Sequence, residues 1–331
     1  MDPRGAIDPA AAYRAAHDGA VVVTRTDRER LLFRGKDALD LLHRLTTNDL
    51  KGLRPGEGAA AVFTTPKGRI LDLVLFHRLP EGVLAITGPG RARPVAGWVE
   101  RYTFREEVGV EDWTAGHATL GIFGTRAPQA VAAAFGGEAA VLPLHHLLPV
   151  AIGAATGWLT RTWPLAGGGY HLTAPTGSIE PLRGALLSHP AAVPADAGEL
   201  EALRIETGLP EQGSELNEER NPWEACLDDA ISLDKGCYVG QEVVARLNTY
   251  RKVARLLVRI DLPGGPAPPR GAVVRRGDEA IGEVTSAALL PGTGRAAALA
   301  YVRDEDAVAA TPVALSWNGG AAAGTIAGRA R

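Results

Sequence analysis

Three stretches of the chain carry residue types and spacings that could do chemistry. In "KGCYVGQEVV", Lys235 to Val244, one of only two cysteines stands between two glycines, with a lysine two residues before it. The residues "YVGQEVVARLN" can start a helix near Gly240, with Val243, Val244 and Leu247 as its buried stripe. Cys237 would then precede a helix N-terminus beside an ammonium, and both features favour thiolate. The glycines permit close backbone approach to a ligand. On residue type alone the default is plainer, because a free cysteine is often a small buried apolar residue.

The second stretch is "GRILDLVLF". A strand here places Ile70, Asp72, Val74 and Phe76 on one face. A carboxylate among apolar residues is costly to bury unless it meets a cation or hydrogen-bond donors, or opens onto a pocket. Pairing and pocket stand about even. The third is 204–236, a long acidic stretch with little regular pattern, and loops of that length in a compact domain are usually functional or mobile. Arg204 and Glu206 fall in the last turn of the helix before it. "GPGRAR" and "GTGRAA" are not dinucleotide fingerprints, since neither opens a helix within a βαβ unit. His145 and His146 have no ligand partners at metal spacing, so no metal site is expected. Two cysteines cannot supply a usual iron–sulfur site.

The elements that must position these groups follow from periodicity. "GKDALDLLHRLTTNDL" reads as a helix with Leu39, Leu42, Leu45 and Leu41 on one face. "AAVFTTPKGRILDLVLFHRL" reads as a hairpin through a Pro-Lys-Gly turn, "GVLAIT" as a strand, and "VAGWVERYTF" as a helix. The helix around "GELEALRIETG" ends at Gly208. Beyond Tyr250, short strands separated by Gly and Pro form a small all-β module. The fold class is α+β with a C-terminal β-barrel-like domain at 251–331. Residues 1–250 form the larger region, in two subdomains with a boundary near 115.

The chain has 331 residues, 46% apolar and 22% charged, with a net charge of −3. That balance argues against a dedicated nucleic-acid binder. The first residues lack the apolar run of a signal peptide, and no stretch is long enough to cross a bilayer. Two cysteines make no disulfide framework, so a reducing cytoplasm is the expected compartment.

"KGCYVGQE" (235–242) resembles the motif of the YgfZ-like folate-binding proteins, in the superfamily of the glycine-cleavage T-protein, an aminomethyltransferase. The resemblance extends to "GKDALDLLHRLTTNDLKGLRPGE" (35–57), "VFTTPKGRILDLVLF" (62–76), "LRIETGLPEQGSELNEERNPWEA" (203–225), "IGEVTSA" and "ALAYVR". It implies a three-part fold around a folate-binding funnel and a tetrahydrofolate-like ligand. Asp72 matches the first acid of the T-protein strand "G-x-I-(I/L)-D-D-L", which favours a pocket; the second is Leu73. "LAGGGYH" (165–171) resembles the T-protein turn TGEDGFE, with glycines where pterin-holding acids stood. Cys237 has no counterpart thiol in T-proteins.

The resemblance assigns Asp72 and Cys237 to catalysis. It assigns Asp72, Arg69, Lys235, Tyr238, Arg204 and Glu206 to the folate, with Lys235 and Arg69 near its carboxylates. An ordinary solvated arginine is an equal reading of Arg69. The function implied is a tetrahydrofolate-binding accessory protein for iron–sulfur cluster assembly or maintenance in client enzymes, including tRNA-modifying ones. Expected partners are folate and iron–sulfur enzymes or assembly proteins, with no direct nucleic acid, no membrane, and a monomeric state. The alternatives are a folate-dependent aminomethyl or one-carbon transferase, and an interaction module without ligand.

Overall fold

The computed structural model describes residues 9–250 and 253–330. The chain divides into two compact units. One is built from 9–63, 72–199 and 234–238, the other from 64–71, 200–233 and the described residues beyond 238.

The first unit contains two sheets. In chain order its elements are α1 (Pro9–Asp18), β1 (Ala20–Thr24), β2 (Glu29–Arg34), α2 (Ala38–Leu45), β3 (Gly58–Thr64), β4 (Ile70–Leu79), β5 (Gly82–Thr87), α3 (Ala92–Arg101), β6 (Gly109–Asp112), β7 (His117–Phe123), α4 (Ala127–Phe135), α5 (Gly137–Ala140), β8 (Leu147–Ile152), β9 (Ala155–Leu165), β10 (Gly168–Pro175), α6 (Ile179–Leu187) and β11 (Ala192–Ala195). The ends of β3 and β4 nearest their shared turn, from Thr64 to Leu71, belong to the second unit. A six-stranded sheet runs β11-β1-β7-β10-β9-β8, and a five-stranded sheet runs β3-β4-β5-β2-β6.

The six-stranded sheet has two unlike faces. Val22, Leu120, Ile122, Tyr170 and Leu172 join Leu182 and Leu186 of α6 in an apolar core. Strand alternation turns the intervening residues to the other face. There Thr119, Gly121 and Phe123 of β7 lie beside Thr173, His171 and Gly169 of β10. Thr160 of β9 pairs with His171.

The helix expected at 35–50 is α2, whose buried stripe is Ala38, Leu41, Leu42 and Leu45. Leu39 is only half-buried, because the 3.6-residue period carries it off the stripe. The helix stops at Thr46, which is extended and gives its hydroxyl to the Leu42 carbonyl at 2.8 Å.

The second unit holds most of α7 (Ala197–Thr207), then α8 (Gln241–Tyr250) and strands β12 (Arg255–Leu262), β13 (Val273–Arg276), β14 (Glu279–Leu290), β15 (Arg295–Arg303), β16 (Pro312–Trp317) and β17 (Gly320–Arg329). The last six close into a barrel in the order β12-β15-β14-β13-β16-β17. Val258, Ile260, Val284, Leu315 and Ile326 fill it, with Ala296, Ala298 and Ala300 keeping the β15 wall thin. Closure leaves no free edge to template another strand. The α+β class with a C-terminal β-barrel is therefore as expected. Among the described residues, no helix is long and apolar enough to cross a membrane.

Candidate functional site

The cysteine motif is anchored by its lysine. Lys235 is buried and gives its ammonium protons to the carbonyls of His43, Thr46 and Asn48. These carbonyls lie at and just past the end of α2, where helical partners run out. Burial draws the Lys235 pKa down to about 8, so the group is still largely charged at neutral pH. Tyr238 is buried beneath it, its ring centroid 5.1 Å from the ammonium, and burial pushes its phenol up to about 12. Cys237, between them, is exposed. The structure therefore places Lys235 on backbone carbonyls of α2, and leaves the thiol facing outward.

The second glycine of the motif has a packing role. Gly240 has φ +85°, and a Cβ there would lie 2.6 Å from the Thr65 carbonyl and 2.7 Å from the Thr64 hydroxyl. Thr64 in turn donates to the Val239 carbonyl at 2.6 Å. The β3–β4 turn and the start of α8 thus touch backbone to backbone, which only a residue without a side chain allows. At Gly236 nothing lies within 4 Å of such a Cβ. Arg69, at the end of that turn, donates to the Glu219 carbonyl at 2.8 Å and lies 3.7 Å from the Glu224 carboxylate. Its side chain remains 44% exposed.

Arg204 is committed inside the second unit. Its guanidinium meets Glu201, the Leu209 carbonyl, the Glu215 carboxylate at 2.9 Å and the Ser286 hydroxyl at 3.1 Å. Glu215 is fully buried and also accepts from Ser286 at 2.6 Å, while its carbonyl accepts from the Tyr301 hydroxyl. This network orders the acidic stretch after α7, which has little regular structure of its own. Glu206 is half-buried, and its carbonyl accepts from Arg259 at 2.7 Å. Cys226, the other cysteine, is buried, with its thiol 3.5 Å from the Leu257 carbonyl, and burial raises its pKa.

Asp72 sits on the face foreseen for it, with Ile70, Val74 and Phe76. It is 0% exposed, and its carboxylate accepts from the Gly88 N–H at 3.2 Å. The carboxylate therefore meets a backbone donor in the interior and does not line a water-accessible hollow with Cys237. Registers decide which face this is. Arg30 pairs with Ile86, Ile86 with Leu75, and Leu84 with His77, so these side chains share one face of the five-stranded sheet. Alternation puts Leu73 on that face and Asp72 on the opposite one. Arg30 crosses to donate to the Thr119 hydroxyl of β7 at 3.0 Å, so its face is the one turned to the six-stranded sheet. Leu73, at the position of the second acid, looks that way.

Between the two sheets lies a buried layer rich in polar groups. The Thr119 hydroxyl meets that of Thr173 at 3.0 Å. His77 is fully buried and holds its Nδ1 3.0 Å from the His145 carbonyl, which fixes its proton on Nδ1; burial draws its pKa down to about 4. His171 of β10 is 5% exposed, and among the described residues neither ring nitrogen has a hydrogen-bond partner. Burial, with Arg25 and Arg28 nearby, holds its pKa far below the usual imidazole range. Its ring meets Phe123 edge-on at 5.9 Å. Arg25 forks onto Asp27 with contacts of 2.8 and 2.6 Å, and Arg28 lies 3.4 Å from the same carboxylate.

Residues 9–235 match the GCVT N-terminal domain, and residues 255–329 match the glycine cleavage T-protein C-terminal barrel domain. The chain belongs to the glycine-cleavage T-protein family. An aminomethyltransferase of Rubrobacter xylanophilus is 30% identical over 274 residues, covering 82% of this chain and 73% of that protein. A putative chloroplastic transferase of Arabidopsis thaliana is 28% identical over 283 residues, covering 83% of this chain and 63% of that protein. This chain thus spans less than two thirds of the Arabidopsis protein's length. The crystal structure of glycine cleavage system aminomethyltransferase T from Bartonella henselae superposes with a TM-score of 0.84 at 20% identity, over 96% of this chain and 88% of that one. That likeness establishes a T-protein fold.

Within the T-protein fold, the sequence reading passed over His171, His77 and Arg30. His77 and Arg30 sit in runs that read only as strand. His171 was legible in principle, because it ends the very turn, "LAGGGYH", whose glycines replace acids.

Proposed function

We propose that this chain binds a reduced folate, tetrahydrofolate or a derivative, in the polar layer of its first unit. The observation that carries the reading is that layer itself. Facing sheets normally bury apolar side chains, and polar groups are kept inside only where they are satisfied or serve a ligand. Here Arg30, Thr119, Thr173, His77 and His171 occupy the facing surfaces, within the span that matches the T-protein family. The residues fit a neutral heterocycle edge at the imidazoles. They do not reproduce an acid pair, since Leu73 stands at the second acid position and Asp72 faces away. Isothermal titration with 5-formyltetrahydrofolate tests the reading; absence of binding at millimolar ligand would end it.

Two uses of the bound folate follow, each with its own support. The names of the relatives favour a folate-dependent aminomethyl or one-carbon transferase. The exposed Cys237, on a loop fastened by Lys235, favours the accessory role of the YgfZ-like proteins toward iron–sulfur enzymes, because a transferase has no need of that thiol. Cellular complementation separates them. Restoration of a strain lacking T-protein supports the transferase. Restoration of iron–sulfur enzyme activity by the native chain but not by Cys237→Ser supports the accessory role. A serine variant that restores that activity fully reduces the thiol to packing.

A further inference from the structure

Among the described residues, no carboxylate pairs with the buried guanidinium of Arg30. The residue is 4% exposed, and its guanidinium donates only to neutral acceptors, the Thr119 hydroxyl at 3.0 Å and the Thr114 carbonyl at 3.1 Å. Its Nε–H is buried and, among the described residues, meets no acceptor. Burial lowers its pKa, and Asp112, Glu29 and Asp27 oppose that only from a distance. Each of these acids is engaged elsewhere. Asp112 accepts the Thr114 N–H at 2.8 Å, Glu29 accepts the Ala92 N–H at 2.7 Å, and Asp27 is held by Arg25 and Arg28. A guanidinium does not shed its proton in a protein, so Arg30 keeps its charge in the interior.

The rest of the layer supplies no negative charge to match it. Leu75, Ile86 and Arg30 form one row across the five-stranded sheet, and Leu73, two residues along β4 on the same face, is apolar. Asp72 is turned to the opposite face. The Thr119 and Thr173 hydroxyls meet each other, and burial keeps His77 and His171 neutral. Buried charges are kept where they are paired, so the missing partner is an anion. We propose that Arg30 is an anion-binding residue whose open Nε edge holds a carboxylate of a ligand seated between the two sheets. The planar fork of a guanidinium matches a carboxylate and bonds it more strongly than a neutral acceptor. That carboxylate has two sources. One is the glutamate tail of a folate, which rests on the folate reading above; the other is a small carboxylic acid bound on its own.

The test has two independent readouts. In the native protein labelled with 15N-arginine, the Arg30 Nε–H signal should shift on adding a carboxylate probe. Acetate represents the small acid, p-aminobenzoylglutamate the folate tail, and 6-hydroxymethylpterin the ring without a carboxylate. Movement with p-aminobenzoylglutamate alone assigns the site to the folate tail, and movement with acetate shows a site open to a separate small acid. By titration, Arg30→Gln should weaken the carboxylate probe that moves the signal at least tenfold. Arg30→Lys, which keeps the charge without the fork, should recover part of that loss, and 6-hydroxymethylpterin should be indifferent to both. The NMR measurement on the native protein stands even if the glutamine variant fails to fold. An Arg30 signal unmoved by both carboxylates, or a folded glutamine variant that binds them within twofold of native, would overturn the inference. Native binding of 5-formyltetrahydrofolate would in that case leave the folate reading intact. A shift with acetate in a chain that does not bind 5-formyltetrahydrofolate would remove the folate reading and keep this inference.

Discussion

The ammonium of Lys235 stands 2.7 Å from the carbonyl oxygen of Thr46, a contact that spans 189 residues of sequence. With the His43 and Asn48 carbonyls it ties the cysteine loop to the end of α2. A hydrogen bond to a charged group is worth about 1.5–3 kcal/mol, and its removal here also strands buried carbonyls. Lys235→Met should therefore lower stability by about 2–3 kcal/mol. Chemical denaturation would show a reduced midpoint. Titration should show 5-formyltetrahydrofolate affinity within about twofold of native, since the side chain is spent on the backbone. A folate affinity that falls tenfold in a fully folded variant would restore Lys235 to the ligand.

Arg204 and Glu215 form a second buried pair, 2.9 Å apart, with side-chain exposures of 6% and 0%. Removing one member leaves the other charge uncompensated, which typically costs about 3–5 kcal/mol. Arg204→Met is expected to fall in that range. The acidic stretch after α7 should loosen with it, because Glu215 is what fastens that stretch to Ser286 and Tyr301. Faster hydrogen exchange confined to 209–225, alongside the drop in stability, is the signature. A loss of folate binding with unchanged stability would show the opposite, that the guanidinium serves a ligand.

Much of this architecture was legible from local pattern. Leucine spacing marks α2, the Pro-Lys-Gly turn marks the β3–β4 hairpin, and Gly208, with φ +87°, ends α7 as its position implies. The face shared by Asp72, Val74 and Phe76 follows from alternation alone. Which way that face looks does not, because it depends on β4 pairing with β5 and on Arg30 reaching Thr119, 89 residues away. The same limit explains Lys235 and Arg204. Each carries a charge that local context reads as available, and each is consumed by a partner distant in sequence. His171 had a local signal in the replaced turn, but its unmet nitrogens are a property of the interior.

His77 makes the first unit sensitive to acid. In the unfolded chain its imidazole takes up a proton near pH 6.5, and in the folded chain only near 4, because burial opposes the charge. Between those values the unfolded state binds more protons, so stability falls as pH falls through the window. The full contribution is about 3 kcal/mol, reached near pH 4. His171, whose pKa is also held low, adds in the same direction. Melting temperatures from pH 7.5 to 4.5 should decline more steeply for the native protein than for His77→Gln. Parallel declines would mean that the imidazole is already solvated and titrates normally.

The two glycines around the exposed thiol should answer differently to the same small change. At Gly240 an alanine must hold φ near +85°, which costs about 1–3 kcal/mol, and its Cβ meets backbone of the β3–β4 turn. The Thr65 carbonyl and the Gly68 Cα, 3.2 Å away, cannot swing aside as a flexible side chain would. Gly240→Ala should therefore destabilise by about 2 kcal/mol or more. At Gly236 the space is open and the backbone is not left-handed, so Gly236→Ala should stay within about 0.5 kcal/mol of native. If Gly236→Ala keeps stability yet lowers cellular function, the residue beside Cys237 is constrained by what approaches the thiol and not by the fold. If both variants are as stable as the native chain, the backbone contact between the turn and α8 is looser than its geometry states.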